Sequence, residues 1–381
     1  MKRTIAVVTT SRADYSHLYW PLHDLSHHPD LELKLIAMGP HLSPKFGNTI
    51  REIERAGLEI AARIECLLSS DTDVGMAKTI GVATLSLADC LGQMRPDLLL
   101  LIADRYELLA PAAVALALRI PIAHIEGGEI SEGAIDDAVR HALTKLSHVH
   151  FTSTFAARDR VIGLGEEEWR VHRVGAPSID HLRRDTLYTH EQLEQQLHLE
   201  LSKPSAVVAY HPVTIARHTT REAKELFAAL LEVPGQILFC YPNADAGSRE
   251  LIARTEQFMK QRSDARVFVN LPALTYWSLL RQVDLMIGNS SSGIMETPSF
   301  ALPTVNVGLR QQGRERARNI LDAAPDKADI LAKVAMALSQ QFRNALEGMQ
   351  NPYGDGHASE KIVNILTSVP LGEQLLMKKM R

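Results

Sequence analysis

Charged side chains gather in this 381-residue chain just where apolar runs stop. In LLLLIADRYELLAPAAVALALRIPIAHIEGG, Leu98–Gly128, one run breaks into Asp104 and Arg105 and the next into Glu126; Glu129, Asp136 and Asp137 follow closely. In an α/β sheet the ligand crevice lies beyond the carboxyl ends of the strands, so ADR and HIEGGE read as two walls of one site. Glu126 follows IPIAHI and has two glycines behind it, a placement that can desolvate a carboxylate and open its pKa to tuning for proton transfer. The plainer alternative is a strand-end acid facing water. Asp136 and Asp137, taken singly, read equally as helix caps. TTSRADY places Arg12 and Asp14 after the first apolar run, where a P-loop or a dinucleotide fingerprint would place glycines, so neither of those sites is supported. Arg12 reads as a side-chain phosphate ligand or as a surface arginine paired with Asp14.

The second half repeats the pattern. In LMIGNSSSGIMETPSF, Leu285–Phe300, an apolar strand runs through Gly288 into Asn289, Ser290, Ser291, Ser292 and Gly293 and then an apolar helix start. Small residues let backbone approach an anion, and free N–H groups at a helix start, with serine hydroxyls, can hold it. A serine N-cap with a tight turn is the alternative. YHPVT (Tyr210–Thr214) and YPNADAGS (Tyr241–Ser248) also lie just past strand ends. His211 reads as a ligand contact or a core histidine, and Asn243 as a contact or a turn residue.

These residues need a scaffold of strands. TIAVVTT, LELKLIAM, DLLLLIA, IPIAHIEG, HVHFTS and WRVHRVG, and then SAVVAYHP, QILFCYP, ARVFVNLP, DLMIGN and PTVNVG, are short apolar runs, mostly separated by segments of helical period. That alternation implies βαβ units and parallel sheets. The expected organisation is a first domain over 1–180 carrying the acids, exposed linker helices over 181–204, a second domain over 205–367, and a tail over 368–381 with no packing partner, which frays. Two such halves place a small-molecule site in the cleft between them.

Composition narrows the function. Apolar content of 45% and charged content of 23% are ordinary for a globular protein, and a net charge of −4 argues against a broad nucleic-acid surface. Cys66, Cys90 and Cys240 are scattered without metal or redox spacing and read as buried thiols. The basic start MKRTIAVVTT has too short an apolar run for a signal segment, and no stretch approaches the length of a membrane-spanning helix, so a cytoplasmic protein is expected, with no membrane partner.

The motifs SRADYS, HL…GNT, DR, HIEGGE, IDDAVRHALTKLSHVH, HPVT, PNADAGS, IGNSSSG and GLRQQGRE, in order from Ser11 to Glu315, together resemble the hydrolysing UDP-N-acetylglucosamine 2-epimerases of the sialic-acid pathway. ADR stands where that pattern has GDR, and SEGAIDD carries one residue more than SGTIDD. The resemblance implies an α/β fold with two Rossmann-like domains and parallel sheets in the B-type glycosyltransferase arrangement. By the same resemblance Ser290 and Ser291 would hold the diphosphate, Glu296 the ribose hydroxyls, and the backbone near Leu271 the uracil. Arg12, Asp14, Ser16, Arg105, Asn243 and Arg310 would complete the substrate contacts.

The implied chemistry removes the proton at sugar C2, expels UDP from C1 to leave a glycal, and adds water across the double bond with inversion at C2, releasing N-acetylmannosamine. Asp104, Glu126 and Asp136 would handle protons, and His211 with Arg310 would meet the leaving phosphate. No metal or other cofactor is expected, and the resemblance implies a homodimer or homotetramer built on first-domain helices. A 2,4-diacetamido-trideoxyhexose nucleotide is the alternative substrate. A B-type glycosyltransferase, a non-hydrolysing epimerase and a catalytically silent sugar-nucleotide sensor are the rival functions.

Overall fold

Runs such as IAVV and LLLLI, apolar at every position, suit strands covered on both faces, and the computed structural model of the protein builds them that way. It describes residues 2–68, 72–130, 135–211, 220, 222–241, 248–269 and 271–379. The chain divides into two units, residues 1–129, 136–180 and 354–381 forming one, and residues 130–135 and 181–353 the other.

The first unit holds seven parallel strands, β1 (Arg3–Thr9), β2 (Leu31–Met38), β3 (Ile60–Ile64), β4 (Leu98–Ile102), β5 (Ile122–Ile125), β6 (Val149–Thr152) and β7 (Val171–Arg173), in the order β3-β2-β1-β4-β5-β6-β7. The strand period sends Ile5, Val7, Leu98 and Leu100 to one face, against Leu18, Leu22 and Leu25 of helix Arg12–His27. Ala6, Val8, Leu99 and Leu101 pack on the other face against Ala83, Leu87 and Leu91 of helix Asp73–Met94. That helix is long and apolar enough to cross a membrane by length and composition, contrary to the expectation that no stretch would be; one side of it is core.

The second unit holds six parallel strands, β8 (Ser205–Ala209), β9 (Gln236–Tyr241), β10 (Arg266–Val269), β11 (Leu285–Gly288), β12 (Thr304–Val307) and β13 (Ile320–Ala323), in the order β10-β9-β8-β11-β12-β13. The order in which strands are added therefore reverses once in each sheet, between β1 and β4 and between β8 and β11, and ligands of such sheets bind beyond the strand ends at that reversal.

Three expectations about organisation change. The segment expected as exposed linker helices packs on the second unit, because Leu193 and Leu197, one helical turn apart in helix His190–Leu197, join the core formed by Val207, Leu238 and Trp277. Helix Ala358–Ser368, placed with the second domain by sequence order, belongs to the first unit. Its Ile362, Val363 and Leu366 enter the core with Leu18 and Leu22, and the buried Asp180 carboxylate accepts from the N–H groups of Ala358 and Ser359 at 2.9 and 2.7 Å. The segment that follows is anchored rather than frayed: Leu375 is fully buried, and the Arg170 guanidinium donates to the carbonyls of Leu375 and Met377, each at 2.7 Å, and of Gln374 at 3.2 Å. Lys378 reaches Glu166 at 2.8 Å. Burial alone would raise the pKa of Glu166, but hydrogen bonds from His150, Lys145 and Lys378 pull it down to about 2.

Candidate functional site

In the first unit the charged groups stand on the loops that leave β1, β4 and β5. Ser11 opens helix Arg12–His27 as its N-cap, and Asp14 in the first turn folds back so that its carboxylate accepts from the N–H of Thr10 at 3.2 Å and from the Thr10 hydroxyl. Burial pushes the Asp14 pKa up to about 6, with Arg105 and the Thr10 hydroxyl opposing. Arg12 approaches Glu52 at 3.6 Å, so Asp14 is engaged with Thr10 and Arg12 with Glu52 instead of the two forming a surface pair. Ser16 is half-buried on the same helix.

Beyond β4 the chain turns through Ala103, a non-glycine residue with φ of 58°, where the resembling pattern has glycine. Asp104 takes a hydrogen bond from Arg140, which is buried on helix Asp136–Leu146. Arg105 donates to Glu107 at 2.9 Å, and Glu107 is fully buried. Burial opposes the charge on Arg105, but the carboxylates of Glu107 and Asp14 more than offset it and raise its pKa. Nε of Arg105 and Oε2 of Glu107 are buried without hydrogen-bond partners among the described residues, unmet capacity of the kind a ligand can take up. Asp136, at the start of its helix, has its pKa raised by burial and by Asp104, with Arg105 and Arg140 opposing. Asp104, Arg105, Asp136 and Arg140 thus form one electrostatic group.

Glu126, just past β5, also has positive φ, 63°. Its N–H donates to the carbonyl of Phe151 on β6 at 2.8 Å, its side chain is 8% exposed, and Oε1 lies 2.8 Å from Nδ1 of His17. Backbone strain of this kind at two adjacent strand ends is common where side chains are aimed at a ligand. His124 beneath it is fully buried, with Nε2 2.8 Å from the carbonyl of Ala103, and burial drives its pKa down to about 3.

The second unit builds its rim on Asn289. At Gly288 φ is 144°, and a Cβ there would stand 2.0 Å from the carbonyl oxygen of Ala209, so the close approach of β11 to β8 requires glycine. Asn289 is fully buried; its Oδ1 accepts from the N–H of His211 at 2.7 Å and its Nδ2 donates to the carbonyl of His211 at 2.9 Å. The carbonyl of Asn289 in turn receives Arg310 at 3.0 Å and Gln311 at 2.9 Å. His211 and Arg310, expected at the leaving phosphate, are therefore clamped to one residue.

Ser290 and Ser291 precede a helix of only four residues, Ser292–Met295, which passes into a 3₁₀ turn over Thr297–Phe300. The helix start expected here is a single turn, so aligned helix dipoles contribute little and donors must come from individual N–H and hydroxyl groups. Ser291 is the N-cap residue but makes no side-chain capping bond. Ser292 instead carries the local polar network, receiving the Tyr276 hydroxyl at 3.1 Å and donating to the buried Glu296. Leu271 is half-buried beyond β10. Asn243, the residues after His211 in YHPVT, and Ser131–Ala134 of SEGAIDD lie outside the described residues.

His17, Glu107, Arg140 and Asn289 were not assigned roles from the sequence. Glu107, Arg140 and Asn289 sit within motifs already noted, but His17 lies on a helix just past SRADYS and becomes recognisable only through its contact.

The UDP-N-acetylglucosamine 2-epimerase family matches residues 23–367. UDP-N,N'-diacetylbacillosamine 2-epimerase (hydrolyzing) of Legionella pneumophila is 36% identical over 379 residues, 99% of each chain. UDP-N-acetylglucosamine 2-epimerase of Neisseria meningitidis is 32% identical over 344 residues, 89% of this chain and 88% of that protein. Among solved structures, UDP-GlcNAc 2-epimerase from Neisseria meningitidis bound to UDP-GlcNAc has a TM-score of 0.81 at 17% identity, covering 95% of this chain and 99% of that one, which establishes the shared fold. The chain belongs to the UDP-N-acetylglucosamine 2-epimerase family, as its motifs implied.

Proposed function

We propose that the protein hydrolyses a UDP-linked 2-acetamido sugar with inversion at C2, releasing UDP and the free epimer. The observation that carries this reading is the set of carboxylates beyond β4 and β5: Asp104 and Asp136 in one electrostatic group, and Glu126 on the neighbouring strand end. In this reading Glu126 takes the C2 proton as the C1–O bond breaks, its electron pair leaving with UDP. Water then supplies hydroxyl to C1 of the glycal while an acid delivers a proton to C2 from the opposite face, the remaining water proton restoring that acid and the proton held by Glu126 passing to solvent. Asp136, whose raised pKa favours the protonated form, suits the donor, with Asp104 as its supporting acid. His211, Arg310, Ser290 and Ser291 receive the diphosphate, with Arg12 and Arg105 adding positive charge and Glu296 at the ribose. The sugar then meets the acids of the first unit, and UDP the Asn289 rim of the second.

A 2,4-diacetamido sugar nucleotide is the substrate that sequence identity favours, since the relatives at 36% are named for it. UDP-N-acetylglucosamine is the second reading, supported by the Neisseria relative, and the 30% identical polysialic acid biosynthesis protein P7 of Escherichia coli supports a role in making sialic-type acids. The exposed Val74 and Leu85 of helix Asp73–Met94 and Leu116 of the neighbouring helix are the first-unit surface on which a homodimer or homotetramer would form.

NMR of each sugar nucleotide incubated with the protein tests the reaction. Free UDP with a free C2-epimer is expected from one of the two. An epimer still joined to UDP identifies the non-hydrolysing reaction, and an unchanged mixture of both identifies a binding protein.

A further inference from the structure

The backbone of Glu126 is fixed, and its carboxylate is buried. Its N–H is bound to β6 and its φ of 63° is set by the strand-end turn, yet three side-chain torsions separate that backbone from the carboxylate that must meet a substrate proton. One contact to that carboxylate comes from a different element. His17 lies in the second turn of helix Arg12–His27, which is anchored in the core by Leu18, Leu22 and Leu25, and its Nδ1 stands 2.8 Å from Oε1. An imidazole N–H facing a carboxylate can only donate, so the contact assigns the proton to Nδ1. The arrangement parallels the neighbouring strand end, where buried Arg140 holds Asp104.

We infer that His17 is a positioning residue for Glu126: its Nδ1–H fixes the plane of the carboxylate that takes the C2 proton. This rests on the functional reading above. Holding a reacting group in near-attack geometry is worth much of the rate, and misplacement by about 1 Å costs on the order of 10²-fold. The contact is made by one ring nitrogen, so an asparagine, whose amide nitrogen falls near the position of Nδ1, can replace it without titrating.

The test is a double-mutant cycle on the full chain, following UDP release from whichever of the two sugar nucleotides is turned over, with UDP affinity by calorimetry and the thermal midpoint measured in parallel. His17→Ala is expected to lower kcat by about 10-fold or more with KM, UDP affinity and thermal midpoint little changed. His17→Asn is expected to recover activity to within about 3-fold of wild type, which a packing role for the ring would not allow. In a Glu126→Gln background, His17→Ala should cost nothing further, because the group it positions is already gone. A slow Glu126→Gln enzyme combined with an unaffected His17→Ala enzyme overturns the proposal, as does a His17→Ala loss that multiplies with the Glu126→Gln loss. A Glu126→Gln enzyme at the wild-type rate overturns instead the role given to Glu126, and this proposal with it.

Discussion

Glu126→Gln keeps nearly the same shape and still accepts a hydrogen bond from His17, but it cannot take a proton. The variant is expected to bind UDP almost normally and to lose turnover by roughly 10²-fold or more, the scale of general acid–base catalysis. In deuterium oxide the wild type should place one deuterium at C2 of the released sugar, since hydration draws that hydrogen from solvent; carry-over of the substrate hydrogen argues against the elimination route. Lost thermal stability with retained turnover would instead make Glu126 structural. Asp14 gives a pH-dependent expectation. Its folded pKa of about 6 lies above the ordinary 3.8, so its contribution to stability is complete below about pH 4 and is lost as the pH rises through 6. Asp14→Asn should flatten the fall in unfolding free energy between about pH 4 and 7, by on the order of 2–3 kcal/mol, measured by urea denaturation across that range. An unchanged slope would place the titration elsewhere.

The turns that end β4 and β11 make opposite demands on side-chain size. Ala103 occupies the left-handed region at φ of 58°, where an L-residue costs about 1–2 kcal/mol, partly balanced by the greater unfolded freedom of glycine. Ala103→Gly should therefore raise stability by up to about 1 kcal/mol, read as a higher denaturation midpoint with unchanged slope. Gly288→Ala should do the reverse, since its Cβ would meet the Ala209 carbonyl at 2.0 Å. A loss of about 2 kcal/mol or more, with weaker UDP binding as Asn289 shifts from His211, is expected from calorimetry on the folded fraction. Normal UDP affinity would separate Asn289 from the nucleotide site. Eleven of the strands announce themselves as apolar runs, whereas β3 (IAARI) and β13 (ILDA) do not. Both are edge strands, covered less completely, so polar residues at exposed positions break the run that marks a buried strand.

The C-terminal segment shows how far local pattern can mislead about the molecule. LGEQLLM reads as a tail because it is short, but it supplies Leu375 to the first unit's core and three carbonyls to the buried Arg170. Removing residues 373–381 would take those three acceptors from the guanidinium and Leu375 from the core, a loss of about 3–5 kcal/mol expected as a lower thermal midpoint; an unchanged midpoint would show the segment to be dispensable. Eleven of the strands, the parallel pairing and the charged residues at strand ends were readable in advance, since periodicity and strand-end chemistry are properties of contiguous residues. The same local character concealed the rest. His17 meets Glu126 across 109 residues, and Asn289 meets His211 across 78. Such pairs depend on strand order and on how each helix is rotated against its sheet, both set by the packing of all the apolar faces together rather than by any one segment.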